Sequence, residues 1–590
     1  MAVLAPMLAS FAISVLFVAS RVFHVNGELY FALFDDAMIA MRYARNLVEG
    51  HGLVWNPGSD PVEGYTNFLW MLWMAAVHLL GFPDSKTSLV VSASGALILL
   101  LNLLVVRSIA TRLIPGEPAV STLALWLTAL CLPLVYWTLL GLEVGLLALL
   151  TSLSILLALR LVDAFRRRDL LLLAAVLTLA VLVRTDQVVL CAVVLGFLGL
   201  SLPPAYRARV LITLSLAVAI TVAAHTAFRL SYYGHPLPNS YYLKLGGIRA
   251  GTRLRRGIGS LVKSGVGVLY APLAFAVVAL WRSMPAASRG VLLLLGAFLS
   301  QCVYSAAVGG DVWEWYPVTN RFVTPALPAL LVASAVGAWT VAIHGRPWLL
   351  WTLAAGFALI VSGRDALSRL VPSAQIAAEF GAVSIWLRGA RIGGRVLAWL
   401  PTLLLGLAAF WPRDVNRRPF TAWVHWRLLA CGLAVLVAAN AGPAVMMRWR
   451  PGAAEWSTAA TLTRLGVALR ESTAPTASIA VVWAGIIPYF ARRPAVDLLG
   501  RSDAIIARTP SHAGGFLPGH TKWDYEYSIG RLRPDLIVQL WGATPEDFAR
   551  INSLGYEQIL PDLFVLRDST SVDRARLRNA VCRIWPHRCR

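Results

Sequence analysis

Apolar runs of nearly 20 residues recur along this chain, and they constrain its fold more than any other feature. They cover roughly residues 3–22, 88–109, 119–139, 142–160, 208–229, 266–282, 289–308, 322–341 and 426–446, with shorter runs at 169–184, 187–203, 349–362 and 396–411. A helix of about 20 residues spans the ~30 Å hydrocarbon layer of a bilayer. That layer holds no water to satisfy backbone N–H and C=O groups, so each run is expected to be helical. Hydrophobic residues make up 58% of the chain and charged residues 14%, which excludes a large soluble enzyme. The predicted fold is a polytopic α-helical membrane protein with about 11–13 transmembrane helices. The first run lacks a basic leading segment and an Ala-x-Ala cleavage site, so it is expected to be a retained span.

Arginine clusters follow every second run: Arg107/Arg112, Arg166 to Arg168, Arg207/Arg209, Arg282/Arg289, Arg346 and Arg413/Arg417/Arg418. The positive-inside rule assigns these loops to the cytoplasm and the intervening polar segments to the exterior. The net charge of +22 is thereby explained as loop anchoring, and nucleic acid is not an expected partner. The same alternation makes Phe68–Leu80 an interfacial or re-entrant helix rather than a crossing. The basic loop 246–264 falls outside by this count, where it would face anionic lipid or phosphate.

After residue 448 the hydropathy falls. Ile479–Trp483 and Leu536–Val538 read as short buried strands among helical and turn-rich sequence. The expected division is a membrane module over 1–447, with a first extracytoplasmic loop at 24–87 carrying amphipathic helices, and an extracytoplasmic α/β domain over 448–590. Cys131, Cys191, Cys302 and Cys431 sit in apolar runs as small hydrophobes. Cys582 and Cys589 are either a disulfide or two tail thiols.

Chemistry concentrates in the polar segments assigned to the outside. Asp35 and Asp36 open a helical pattern, Met38, Met41, Ala44 and Leu47, with Arg42 and Arg45 alongside, which reads as an amphipathic helix lying on the membrane. The helix dipole accounts for one acid at that end and leaves the second to function. Further clusters are Gly141-Leu142-Glu143, Arg184-Thr185-Asp186, Tyr232-Tyr233-Gly234 through Lys244, and Gly309-Gly310-Asp311 followed by Arg321. Lys244 offers a point charge to a phosphate, whereas Arg184/Asp186 also reads as a plain ion pair. In the tail, His520 and Trp523 belong to a stretch able to stack on and hydrogen-bond a sugar.

In order and common sidedness, Asp35-Asp36, Arg42-Tyr43, Gly52 to Gly58, Val62-Glu63, Glu143, Tyr233, Lys244 and Asp311 resemble the motifs of GT-C glycosyltransferases. The similarity is greatest to the mycobacterial terminal arabinofuranosyltransferase AftB family and its bacterial relatives, over about residues 30–325. The resemblance implies a polyprenyl-phosphate sugar donor bound from the membrane, a cell-envelope glycan acceptor, and inversion at the anomeric carbon, in a bacterial plasma membrane. It implies Asp35 as general base with Asp36 orienting it; Lys244, Arg321 and Arg42 would hold the donor phosphate. Tyr43, Glu63, Glu143, Tyr233 and Asp311, with His520 and Trp523, would contact substrate. Arabinofuranose is the leading sugar, with mannose or another hexose as the alternative. No cofactor is expected, although paired acids can hold Mg²⁺ or Mn²⁺. A lipid-linked-sugar flippase or transporter is the alternative from another class; it would place its polar groups near the midplane on paired repeats.

Overall fold

The computed structural model describes residues 3–585 apart from 283–284, 314–319, 345–346, 371–392, 411–419, 447–456 and 513–515. The expected boundary at 447/448 and Cys589 both lie outside the described residues. Up to Leu113 the chain forms α1 (Leu4–Ala19), a hairpin of β1 (Phe23–Val25) and β2 (Glu28–Tyr30), α2 (Asp35–Val48), α3 (Phe68–His78) and α4 (Asp84–Leu113). Then follow α5 (Pro118–Ala129), α6 (Leu132–Leu139), α7 (Val144–Asp163), α8 (Arg167–Val183), α9 (Val188–Ser201) and α10 (Pro204–Tyr233). Two short helices, α11 (Asn239–Leu245) and α12 (Ala250–Ser264), precede α13 (Tyr270–Arg282), α14 (Pro285–Ala307), α15 (Leu327–His344) and α16 (Pro347–Leu370). Further apolar helices cover Gly393–Phe410 and Phe420–Met446.

Among the described residues, α4, α7, α10, α14 and α15 are each long and apolar enough to cross a bilayer. Helices α5 and α6 form a bent pair with an angle of 47°. The bend follows from Pro133, which has no amide to donate in the first turn of α6. The Leu132 amide exposed by the break donates to Asn440 Oδ1 at 2.8 Å, from a neighbouring apolar helix. Helix α3 has only 11 residues, about 16 Å, too short to cross.

The C-terminal region folds as an α/β domain around a five-stranded sheet in the order β4 (Ala495–Asp497), β3 (Ile479–Val481), β5 (Leu536–Ile537), β7 (Leu563–Leu566), β6 (Tyr556–Leu560). The first three strands run parallel, and β7 and β6 are antiparallel. Parallel neighbours need a crossover, and the Ile486–Ala491 helix supplies it between β3 and β4. The loops leaving β3 and β4 at their carboxyl ends both meet the membrane module, the place where open α/β sheets generally put their functional loops. Asn56 closes the free edge of β4, donating to the Ala495 carbonyl (2.8 Å) and accepting from its amide (3.0 Å). Arg492 Nε pairs with Asp84 at the start of α4 (2.7 Å).

Helix α2 departs from expectation. It is not laid on a membrane surface: Asp35 and every residue from Ala37 to Asn46 are buried. One side packs on α3 and the other on the C-terminal domain, through the Ile486–Ala491 helix. Its polar stripe therefore faces protein rather than headgroups.

Candidate active site

A cavity of about 330 Å³ lies where α2, α11 and the loops before α3, α7, α9 and α15 converge. Asp36, Asn67, Glu143, Arg184, Lys244 and Arg321 contribute to its wall, and Arg501 reaches it from the C-terminal domain. Gly141, at φ +81°, makes the turn that sends Glu143 inward; a Cβ there would meet Leu33 at 2.5 Å. Gly309 and Gly310, at φ +88° and +77°, likewise fold the chain so that Asp311 lies beneath Arg321.

The charges are arranged as nested pairs. Arg321 Nη1 sits 2.5 Å from Asp36 Oδ2, and its Nε lies 3.0 Å from Asp311 Oδ2. Arg501 Nη1 stands 3.9 Å from the same Asp36 oxygen, anchored by a bond from its Nε to the Gly64 carbonyl (3.0 Å). Arg184 pairs with Glu143 at 2.9 Å and with Asp186, and Arg229 grips Glu63 through two nitrogens, at 2.8 and 3.1 Å. Among the described residues, Lys244 has no carboxylate in ion-pair contact; its ammonium lies 5.9 Å from the Phe322 ring centroid. Burial, with the neighbouring Arg501 and Arg321 charges, brings Lys244 down to about 7, against the smaller pull of Asp311 and Asp36. Burial also raises Asp36, but Arg321, Arg501 and Lys244 outweigh it and hold that carboxyl well below the usual range. The cavity thus presents Asp36 among three basic side chains, with Glu143 and Asp186 held on Arg184, and Lys244 is left poised to gain a proton.

Asp35 does not share this environment. Its carboxylate accepts hydrogen bonds from the backbone amides of Ile486 (2.7 Å) and Gly485 (3.3 Å) in the C-terminal domain. Burial, reinforced by the Asp36 charge, pushes it up to about 7 against those bonds. Asp35, expected as the general base, is not on the cavity wall; its neighbour Asp36 is, and Asp35 ties α2 to the C-terminal domain. The partners of the two acids lie on different elements, and among the described residues no group of three or more His, Cys, Asp or Glu is placed to hold a metal ion.

Other expected site residues also stand elsewhere. Arg42 is committed to the Trp55 carbonyl (2.6 Å), Asn56 Oδ1 (2.7 Å) and the Arg493 carbonyl (2.9 Å), so it staples domains and does not reach the cavity. The Tyr43 hydroxyl donates to the Val62 carbonyl (2.6 Å) and accepts from the Gly64 amide (3.1 Å), bracing the loop behind the wall. Tyr233 supports the cavity-lining Tyr65 through a 2.9 Å hydroxyl contact. Glu63 and Asp311 are the counterions of Arg229 and Arg321 rather than groups on the wall. Trp523 stacks on His512 at 3.8 Å within the C-terminal domain. His520 lies beside the site: burial lowers its pKa, and the charges of Asp36 and Lys244 both act on it. Lys244, Arg321, Asp36 and Glu143 line the cavity. Arg501 escaped the sequence reading; its signal is its position just past a parallel strand.

The chain has a polytopic α-helical fold of the GT-C type with a C-terminal α/β domain. Among solved structures the chain is similar to ArnT from Cupriavidus metallidurans bound to undecaprenyl phosphate, at 14% identity over 96% of this chain and 98% of that one, with a TM-score of 0.53. It is also similar to the archaeal oligosaccharyltransferase AglB from Archaeoglobus fulgidus in complex with an inhibitory peptide and a dolichol-phosphate: 11% identity, 91% of this chain, 69% of that one, TM-score 0.52. Residues 451–575 match a family model described as a domain of unknown function, DUF8728. No curated protein matches the chain by sequence.

Proposed function

We propose that this protein is a membrane glycosyltransferase that moves a sugar from a polyprenyl-phosphate donor to a hydroxyl of a cell-envelope glycan. The observation that carries the reading is Asp36, an ionised carboxylate on the cavity wall held among Arg321, Arg501 and Lys244. The donor is a phosphodiester, and its phosphate gains a second negative charge as the sugar leaves. Fixed cations in a closed cavity stabilise that developing charge more than the ground state. Lys244 takes up a proton as the anion arrives, and the phosphate competes with Asp36 for Arg321. Asp36 is thereby released as a stronger base at the moment the donor is bound. The acceptor oxygen attacks the anomeric carbon, the bond from that carbon to the phosphate oxygen breaks, Asp36 takes the hydroxyl proton, and polyprenyl phosphate leaves. Attack from the face opposite the phosphate inverts the anomeric centre. Arabinofuranose is the first sugar to test and mannose the second. The membrane is a bacterial plasma membrane, with the C-terminal domain outside.

The test uses purified protein with radiolabelled polyprenyl-phosphate arabinose and, separately, polyprenyl-phosphate mannose. Transfer or donor hydrolysis from one of them, lost in Asp36→Asn, is the expected result. Folded protein that turns over neither donor, yet moves lipid-linked sugar across sealed vesicles, would replace the enzyme with a transporter.

A further inference from the structure

The opposite end of the bundle carries a feature that sugar transfer does not use. Helix α4 begins at Asp84, against Arg492 of the C-terminal domain, and runs 30 residues, about 45 Å, to Leu113. Its far end therefore lies at the other membrane face from the cavity. Two adjoining clefts open there, of about 600 and 380 Å³. Arg107, Ser108, Thr111 and Arg112 line the first, and Arg112, Arg160, Arg166 and Arg168 the second. The acids on the two walls are Asp163, shared by both, and Asp169; Arg112 already pairs with Asp163 at 2.5 Å. The clefts thus hold five arginines against two acids, with hydroxyls beside the guanidinium groups. That set suits a phosphodiester, which guanidinium groups bind through paired N–H donors.

Loop anchoring alone asks only that arginines sit near the membrane border. Here they also terminate apolar tracks. On α4 the exposed Leu97, Leu101 and Leu104 continue at helical spacing into Ser108 and Thr111. On α8, Arg168 is followed on one face by the exposed Leu172, Ala175 and Leu179. Each track is a strip on which an acyl chain can lie, ending at a cleft that can hold its phosphate.

We propose that these two clefts bind the headgroup of an anionic phospholipid, with its acyl chains on the leucine strips of α4 and α8. Basic pockets between membrane helices favour such headgroups for the same electrostatic reason. The site is independent of the glycosyltransferase reading.

The test is native mass spectrometry of the full-length protein in detergent, incubated in turn with cardiolipin, phosphatidylglycerol, phosphatidylcholine and inorganic phosphate. The two anionic lipids should be retained about tenfold more than phosphatidylcholine, and the double variant Arg107→Ala/Arg168→Ala should erase most of that difference. Arg209→Ala, an exposed arginine of α10 outside the clefts, serves as the charge control and should leave retention unchanged. Equal retention of anionic and zwitterionic lipid, or unchanged retention in the double variant, would overturn the proposal. Displacement of the lipid by inorganic phosphate at equal concentration would overturn it in favour of a free anion. If the double variant does not fold, Arg168→Gln alone, on an exposed side chain, is read against the same outcomes.

Discussion

Asp35 and Asp36 differ by one peptide bond and by about 100° around the helix axis, and that rotation separates their chemistry. Asp36 turns to a cavity of cations and Asp35 to two backbone amides of another domain. Removing a base that accepts a proton in the transition state typically costs 10²–10⁴-fold, so Asp36→Asn should lower kcat by about that factor. Asp35→Asn keeps one oxygen for the closer Ile486 amide, gives up only the longer Gly485 bond, and should retain turnover within about tenfold. Donor turnover by the two variants side by side decides the assignment, and the reverse ranking would return the base to Asp35. Lys244 gives a pH prediction. Burial, with the Arg501 and Arg321 charges, brings its ammonium down to about 7, and a bound phosphate would raise it again. Binding then takes up a proton above pH 7, so affinity for polyprenyl phosphate falls as pH rises from 7 to 9. Calorimetric titration should show that slope in the native protein and its loss in Lys244→Met.

At the scale of elements, α2 is where sequence and structure part. Its apolar spacing and its acidic start are present as expected, and the helix forms where the pattern puts it. Hydropathy cannot say what covers its polar stripe. Asp35, Arg42 and Arg45 recur on one face, which is equally compatible with lipid headgroups and with a protein partner more than 400 residues away in sequence. The apolar runs were legible because a bilayer imposes length and helicity on each one separately. The sequence singles out Lys244, Arg321 and Glu143, which line the cavity, because span-end polar groups are costly unless used. Arg42 and Tyr43 lie off the cavity wall, and the sequence does not set them apart because a buried staple and a substrate contact demand the same residue types. The seam itself is tight: a Cβ on Gly485 would fall 1.9 Å from the Asp35 carbonyl oxygen. Gly485→Ala must push the β3 loop off α2, at a cost of about 1–3 kcal/mol for overpacking. Thermal melting should drop accordingly, and limited proteolysis should cleave the C-terminal domain faster. A variant as stable and as resistant as the native protein would mean that the loop yields without the seam opening.

At the scale of the whole molecule, the cavity is built jointly by the membrane module and the α/β domain. The membrane module supplies Asp36, Lys244 and Arg321, and the α/β domain supplies Arg501 from the loop after β4. Asp497, buried at the end of that strand, accepts the amides of Leu499 (3.0 Å), Gly500 (3.2 Å) and Ser502 (2.6 Å) and so fixes the loop that carries Arg501. From the membrane side, Asn239 at the start of α11 donates to the carbonyls of Gly500 (2.9 Å), Arg501 (3.0 Å) and Asp503 (3.0 Å). The same short helix thus bears Lys244 and holds the loop of Arg501, which places both cations by one contact. If the C-terminal domain were only a buttress, Arg501→Gln would cost nothing once the protein folds. If Arg501 faces the leaving phosphate, its loss removes a charge contact that strengthens in the transition state, and kcat/KM should fall about 10²-fold with kcat carrying most of it. Arg550→Gln is the matched control, because its exposed guanidinium pairs with Glu526 within the α/β domain, off the cavity wall. Equal melting temperatures for the two variants, with activity lost only in Arg501→Gln, would make the α/β domain part of the catalytic apparatus. Unchanged kcat/KM in folded Arg501→Gln would confine catalysis to the membrane module.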